Sequence, residues 1–134
     1  MKEFFEDEMN IPQNLKYTKD HEWILVEGNT AKIGVTDYAQ GELGDVVFVD
    51  IDPSLSEFSL GQSIGTIEAV KTVSDIFAPF SGKVVEINES LKDSPETVNT
   101  DPYGNGWMIK AEILNQEELS ELLDSAAYQA LIGQ

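Results

Sequence analysis

The sequence contains no cysteine and no arginine among its 134 residues. Without cysteine the chain can form no disulfide and no thiolate metal site, and it has no thiol chemistry of its own; this composition predicts a cytoplasmic protein. No apolar run approaches the roughly 20 residues that span a bilayer. Residues 1–8 are acidic and lack an apolar stretch, so neither a secretory signal nor a transit peptide is predicted.

Positive charge is scarce as well. Eight lysines stand against 25 acidic residues, which gives a formal net charge of −17. A phosphate backbone needs a cationic surface, so nucleic acid is excluded as a partner, and anionic membranes are excluded for the same reason. Two interpretations of the acidic surface stay open. It could serve solubility alone, or it could steer docking to basic patches on partner enzymes.

Length and patterning predict one domain. A chain of 134 residues can bury one core but not two. We expect an acidic N-terminal extension over residues 1–14 and a single domain over residues 15–134, with the protein a monomer. Many short alternating strands at regular spacing predict a mainly β fold, a sandwich or barrel with helical ends.

Local signals place the individual elements. A hairpin is predicted over residues 23–35 with its turn at Gly28-Asn29. Thr36 is a candidate N-cap for a helix over 37–43 that Gly44 ends in a left-handed conformation. Further expectations are a strand that contains Val47, Val49 and Ile51 and stops at Asp52-Pro53, a strand over 83–87, one helical turn near Pro95, and a last strand carrying Trp107, Ile109, Ala111 and Ile113.

The C-terminal segment predicts a helix. Asn115 followed by Glu118 has the spacing of a capping box. The apolar face of that helix would carry Leu119, Leu122, Leu123 and Ala126. Ser125 is a possible restart of the helix, which would then carry Tyr128 and Leu131 against the sheet.

One stretch, residues 65–82, is central to the sequence. Six of the eleven residues from Thr66 to Ile76 are β-branched, which favours strands. Two strands with a turn at Val70-Lys71 are predicted. A helix competes, because apolar residues also recur at three- and four-residue steps, and the turn lacks Gly, Asn and Pro. Taken alone, Lys71 at such a tip is most simply a solvated charge.

An independent catalytic site is not predicted. His21 is the single histidine, and beside Trp23 it is expected to be a packed structural residue. A Cys–His pair or a His-rich metal site cannot be assembled from this composition. Neither a nucleophile elbow nor a phosphate-binding loop is present, and acid pairs are too numerous in so acidic a chain to indicate acid–base catalysis.

The central stretch resembles the lipoyl-lysine hairpin of the glycine cleavage system H-protein family. The resemblance rests on residues 65–71 (GTIEAVK), 74–75 (SD), 78–79 (AP) and 81–84 (SGKV). Further motifs that agree are Tyr17, 21–23 (HEW), 33–36 (IGVT), 39–40 (AQ), 43–45 (LGD), 47–49 (VFV) and 101–108 (DPYGNGWM). The match runs from about Leu15 to about Leu131. Two departures are Ala69, where the family commonly has Ser, and Tyr38, where it often has His.

This resemblance implies a fold and a role. The fold would be the flattened barrel of two antiparallel sheets that lipoyl and biotinyl carriers share, a barrel-sandwich hybrid with short helices and a C-terminal helix. Lipoic acid would be joined to Lys71 through an amide bond. The chain would be a non-catalytic shuttle among a pyridoxal-phosphate glycine decarboxylase, a tetrahydrofolate-dependent aminomethyltransferase and the flavin enzyme dihydrolipoamide dehydrogenase, after modification by a lipoylating enzyme.

Three acidic residues match positions near the family's lysine or its groove. Glu68 and Asp75 flank Lys71 and are candidates for recognition by the lipoylating enzyme and for lining the groove of the arm. Glu22 would pair with the cationic amine of the loaded arm. The simpler alternative for each is a solvated surface acid in an ion pair worth ~0–1 kcal/mol.

Three other functions compete with this family: two other kinds of carrier and a module of a different class. A carrier domain of a 2-oxo acid dehydrogenase would show an Ala/Pro-rich linker and Asp-Lys-Ala at its tip, and a biotinyl carrier would have Met on both sides of the lysine. The chain has neither pattern around Lys71. A lipoate-relay or interaction module, which donates lipoyl groups to other proteins, is not distinguished from the shuttle by the sequence.

Overall fold

Antiparallel strands make up most of the structure, a computed structural model that describes residues 10–133. The strands are β1 Lys16–Tyr17, β2 Glu22–Glu27, β3 Thr30–Val35, β4 Val46–Asp50, β5 Glu57–Phe58, β6 Ser63–Ala69, β7 Val73–Phe77, β8 Gly82–Ile87 and β9 Ile109–Ile113. They form a six-stranded sheet in the order β1-β2-β3-β9-β8-β5 and a three-stranded sheet in the order β4-β6-β7. The predicted mainly β class with two antiparallel sheets is confirmed.

The short helices are α1 Asp37–Leu43, α2 Ser90–Asp93, α3 Thr97–Thr100, a 3₁₀ helix Gln116–Glu121 and α4 Ser125–Leu131. None of the helices among the described residues is long and apolar enough to cross a bilayer. Of the predicted N-terminal extension, residues 1–9 lie outside the described part of the chain.

The main core lies between the two sheets. It takes Ile24 and Ile33 from the larger sheet and Val49, Ile67 and Ile76 from the smaller one. Burying each of these side chains contributes roughly 1.5–3 kcal/mol. The core therefore fixes the smaller sheet, and with it the β6–β7 hairpin, against the larger one.

A second cluster covers the other face of β2. Trp23 alternates with Ile24 along the strand, so its indole packs with Tyr17 and Tyr128 rather than in the main core. The rings of Tyr17 and Tyr128 stack with centroids 4.6 Å apart. This cluster attaches α4 to the larger sheet, and Tyr128 is buried as predicted.

Helix α1 begins as predicted and ends differently. The hydroxyl of Thr36 accepts a hydrogen bond from the backbone N–H of Ala39 at 3.1 Å, which confirms the N-cap. Gly44 follows the helix with φ 81° and ψ −156°. Its φ lies in the region that favours glycine, but its ψ is far from the left-handed helical value, so the predicted left-handed cap is wrong in detail.

The predicted strand forms as β4, but its side chains do not alternate regularly between the two faces. The register shifts between Val46 and Phe48 in the pairing with β6, and this irregularity breaks the alternation. Val46 and Val49 are therefore the buried residues of the strand, whereas Val47 is 52% exposed. Ile51 is buried just after the strand ends.

Three predictions after β8 also need correction. The loop that follows contains two helical turns, α2 and α3, rather than one. The capping box does not form, because the Glu118 carboxylate accepts hydrogen bonds from the backbone N–H and hydroxyl of Ser81 at 2.6 and 3.0 Å. Asn115 caps only a 3₁₀ helix, Ala126 is exposed, and Leu131 is 51% exposed rather than packed on the sheet.

Candidate functional site

Lys71 lies at the exposed tip of the β6–β7 hairpin. From Gly65 opposite Ile76 the strands keep one register up to Glu68 opposite Val73. The N–H of Ala69 donates to the carbonyl of Thr72 at 2.8 Å and closes the turn. The prediction of two strands with a turn at Val70-Lys71 is confirmed over the helical alternative, because the β-branched residues pair across the ladder.

The loop after α1 supports this tip from below. The N–H of Val70 donates to the carbonyl of Asp45 at 3.0 Å. A Cβ added at Gly44 would lie 3.2 Å from Cε of Lys71, so the lysine side chain passes close over the glycine. Glycine at position 44 thus allows the positive φ of the backbone and also leaves room for the lysine side chain.

A cleft of about 280 Å³ opens between the hairpin and the larger sheet. Its walls combine aliphatic and acidic side chains: Asp20, His21, Glu22, Val35, Ala39, Glu42, Leu43, Ile67, Thr72, Val73, Ser74 and Asp75. The aliphatic part suits a hydrocarbon chain, and the carboxylates suit a cation.

Glu22 is the buried carboxyl of this cleft, with 2% of its surface exposed. Oε1 accepts a hydrogen bond from the Thr18 hydroxyl at 2.6 Å, and Oε2 accepts one from the backbone N–H of Phe77 at 3.1 Å. Burial raises the pKa of Glu22 from 4.5 to about 7; the two hydrogen bonds oppose that rise, and Asp20 adds to it. The group therefore changes charge near neutral pH.

A second cleft, of about 460 Å³, adjoins the first through Glu22. Its remaining lining is Thr18, Lys19, Asp20, Leu60, Gly61, Phe77, Ala78, Pro79, Glu121, Leu122 and Leu123. Glu22 and Asp20 line both clefts. The buried carboxyl thus stands between two neighbouring concave surfaces.

The two acids that flank Lys71 occupy different places. Asp75 lines the smaller cleft, and its carboxylate accepts a hydrogen bond from the Ser63 hydroxyl at 3.3 Å. Glu68 is exposed on β6 opposite Phe48 of β4 and is not among the lining residues of that cleft. The fold therefore brings Glu22 and Asp75 to one cleft and leaves Glu68 outside it.

His21 is half-buried beside the cleft. Its Nδ1 lies 2.8 Å from the hydroxyl of Tyr128, which in turn lies 2.8 Å from the hydroxyl of Thr36. Burial lowers the pKa of His21, partly offset by Asp20 and Glu42. These two contacts connect α4 to the residue before β2 and to the N-cap of α1, as expected of a structural histidine. Within residues 10–133 no group of three or more His, Asp and Glu side chains is placed to hold a metal ion.

Comparison with known proteins places this geometry in a family. The family model described as glycine cleavage H-protein matches residues 15–134. The chain belongs to the glycine cleavage H-protein family. It is 52% identical over 126 residues to the glycine cleavage system H protein of Staphylococcus haemolyticus, with 94% of this chain and 100% of that protein covered. It is 53% identical over 125 residues to the H protein of Bacteroides thetaiotaomicron, covering 93% and 99%.

Solved structures agree. The crystal structure of a glycine cleavage system H protein from Mycobacterium marinum matches with a TM-score of 0.84 and 39% identity, covering 92% of this chain and 100% of that one. Membership of the H-protein family confirms the predicted role. The chain is the lipoyl carrier shuttle of the glycine cleavage system in glycine catabolism, and it is not itself catalytic.

Several residues that shape the H-protein site were missed in the sequence. Thr18 and the Phe77 backbone hold the Glu22 carboxyl, and the carbonyl of Asp45 holds the hairpin tip. The Phe77 and Asp45 contacts join segments far apart in sequence, so no local pattern signals them. Thr18 lies only four residues before Glu22, but nothing in that spacing marks it as a partner of the carboxyl. Gly44 was the one residue of this region that the sequence marked, because it follows a capped helix. Its lack of a side chain also leaves room for Lys71.

Proposed function

We propose that Lys71 is the residue that carries the lipoyl group of this H protein, through an amide on Nζ. Two observations support the assignment. The lysine stands exposed at a turn whose position is fixed by the β6–β7 ladder and by the Asp45 carbonyl. A cleft with mixed aliphatic and acidic walls begins beside that turn, and Thr72 is part of its lining.

The residues around that cleft fit the group. Val35, Leu43 and Ile67 offer apolar surface to a hydrocarbon arm, while Glu22 and Asp75 offer carboxylates to an amine. A lipoyl group bound there would supply a dithiolane for the transfer of the aminomethyl unit. The chain itself contributes placement and charge rather than bond-making groups.

Glu22 is proposed to bind the amine through its ionised form. At neutral pH the carboxyl is divided between its neutral and charged states, because its pKa is about 7. A cation beside it stabilises the charged state. Binding of the amine is therefore expected to release part of one proton from Oε1 or Oε2 to solvent, and Thr18 and Phe77 then hold the charged carboxylate.

Membership of the glycine cleavage system leads us to propose the specific partners. They are the pyridoxal-phosphate glycine decarboxylase, the tetrahydrofolate-dependent aminomethyltransferase, the flavin enzyme dihydrolipoamide dehydrogenase, and the enzymes that attach lipoate. Glu68 and Asp75, both exposed and on either side of Lys71, are proposed recognition points for these enzymes. The net charge of −17 favours basic docking surfaces. The cytoplasmic location and the monomeric state stay predictions.

Replacement of the lysine tests the proposal. Lys71→Arg keeps the charge but cannot form the amide, so glycine decarboxylation in the reconstituted system should fall to background. Lys83→Arg is the matched control, since Lys83 is also exposed and lies on a strand, β8. Both variants should unfold at the wild-type temperature, because an exposed tip contributes little to stability. Activity retained by Lys71→Arg would contradict the assignment.

A further inference from the structure

We propose that Asn99 is a positioning residue for Lys71. Its side-chain amide fixes residues 44–46, and this segment in turn holds the tip of the lysine hairpin. The inference rests on Lys71 as the proposed attachment residue, although Asn99 follows it by 28 positions in the sequence.

Both the nitrogen and the oxygen of the Asn99 side-chain amide make hydrogen bonds. Nδ2 donates to the carbonyl of Gly44 at 2.9 Å and to Oε1 of Gln40 at 3.0 Å. Oδ1 accepts from the N–H of Val46 at 2.9 Å. The two backbone partners flank Asp45, so one side chain on α3 sets the backbone before and after that residue.

Asp45 is the point of contact with the hairpin. Its carbonyl receives the N–H of Val70, the residue before the lysine, at 3.0 Å. Gly44 lies directly under the Lys71 side chain. The next connection is the pairing of Val46 with Ala69 in the β4–β6 ladder. The segment 44–46, which Asn99 holds, thus contacts the segment 69–71, which ends at the lysine.

Packing does not hold this segment by itself. Gly44 has no side chain and a positive φ of 81°, and the side chain of Asp45 is exposed. Leu43 and Val46 are buried on either side, and the Asp45 carbonyl shares its peptide unit with the Val46 N–H that donates to Asn99. Hydrogen bonds therefore help to decide where that carbonyl points: Asn99 bonds to Gly44 and Val46, and the Gly44 N–H donates to the carbonyl of Gln40 at 3.0 Å.

The consequence concerns recognition rather than chemistry. A lipoylating enzyme needs the lysine in one position, and loosening the tip lowers the fraction of molecules that present it. The apparent affinity falls in proportion to that fraction, whereas turnover after binding is unaffected. Loss of the Asn99 contacts should raise the KM for the unmodified carrier and leave kcat near its wild-type value.

Asn99→Asp is the test variant, because a carboxylate can still accept from Val46 but cannot donate to Gly44 or Gln40. Asn88→Asp is the matched control. Asn88 Nδ2 donates to the carbonyls of Asn105 at 2.9 Å and Trp107 at 2.7 Å, in another loop. Should Asn99→Asp fail to fold, Asn99→Ala and Asn88→Ala repeat the comparison without an added charge.

Two measurements are made on both variants and on the wild type. The first is hydrogen exchange of the Val70 amide by NMR, corrected for the global stability of each protein. The second is the kinetics of lipoylation of the unmodified protein by a lipoate ligase. In Asn99→Asp we expect the Val70 amide to exchange about ten-fold faster and the KM to rise by up to about ten-fold, as the loss of one or two hydrogen bonds predicts.

Equal Val70 exchange in the Asn99 and Asn88 variants would overturn the proposal, and so would an unchanged KM or a loss confined to kcat. Absence of lipoylation at Lys71 in the wild type would instead overturn the proposed function. The exchange measurement would still decide whether Asn99 holds the hairpin.

Discussion

Replacing Glu22 by glutamine should change how the stability of the protein depends on pH. Glutamine keeps the size of the side chain and can still accept from the N–H of Phe77, but it does not titrate. Because the glutamate is 2% exposed, its charge has little access to water in the folded state. In the unfolded chain the same carboxyl is fully hydrated.

The magnitude follows from the pKa, which rises from the ordinary 4.5 to about 7 on folding. Between these values the unfolded chain has released the proton and the folded chain still holds it, so the free energy of unfolding falls as pH rises. The contribution of Glu22 is fully present below pH 4.5 and is lost once pH passes 7. A pKa difference of this size corresponds to about 3 kcal/mol.

Urea unfolding of both proteins from pH 5 to pH 8 measures the effect. The difference in unfolding free energy should move by about 2–3 kcal/mol in favour of Glu22→Gln across this range. Other titrating groups are common to both proteins and cancel. Glu86→Gln, at an exposed acid of β8, controls for the loss of one charge. Parallel pH profiles for the wild type and Glu22→Gln would refute the reasoning.

Gly34→Ala should lower the free energy of unfolding by about 1–3 kcal/mol, because the new Cβ would lie 2.6 Å from the buried indole of β2. Gly41→Ala, in α1 with open space around it, should be neutral or stabilising in the same urea titration. Association with the decarboxylase, followed by stopped flow, should slow as salt rises, and neutralising Glu68 and Asp75 should slow it further. An association rate that does not depend on salt would contradict steering and would indicate that the acidic residues serve solubility alone. The control neutralises two exposed acids of the 3₁₀ helix, Glu117 and Glu121.

Elements set by neighbouring residues could be predicted from the sequence. The β2–β3 hairpin follows from alternation and a Gly-Asn turn, and the start of α1 from the N-cap Thr36, since each signal lies within the element it defines. The register of β4 could not be predicted, because its irregularity depends on pairing with β6. The capping box failed for a similar reason: Glu118 bonds to Ser81, 37 residues away.

The functional site likewise has features that could be predicted from the sequence and features that could not. The position of Lys71 at a hairpin tip was accessible from β-branching and from resemblance. The burial of Glu22 was not, because in a chain with 25 acidic residues nothing local marks the one that the fold encloses. Its meeting with Asp75 across the cleft depends on how the smaller sheet packs on the larger one. The role of Asn99 could not be predicted either, because its partners lie on α1 and β4.

Peptide mass spectrometry of the protein purified from a lipoate-replete host tests the proposed attachment most directly. The expected result is a lipoyl-sized mass increase on the peptide containing Lys71 and on none of the other lysines. A lipoyl group on a different lysine would contradict the assignment. An unmodified Lys71 would contradict it equally, provided that a known lipoyl carrier from the same cells is found modified.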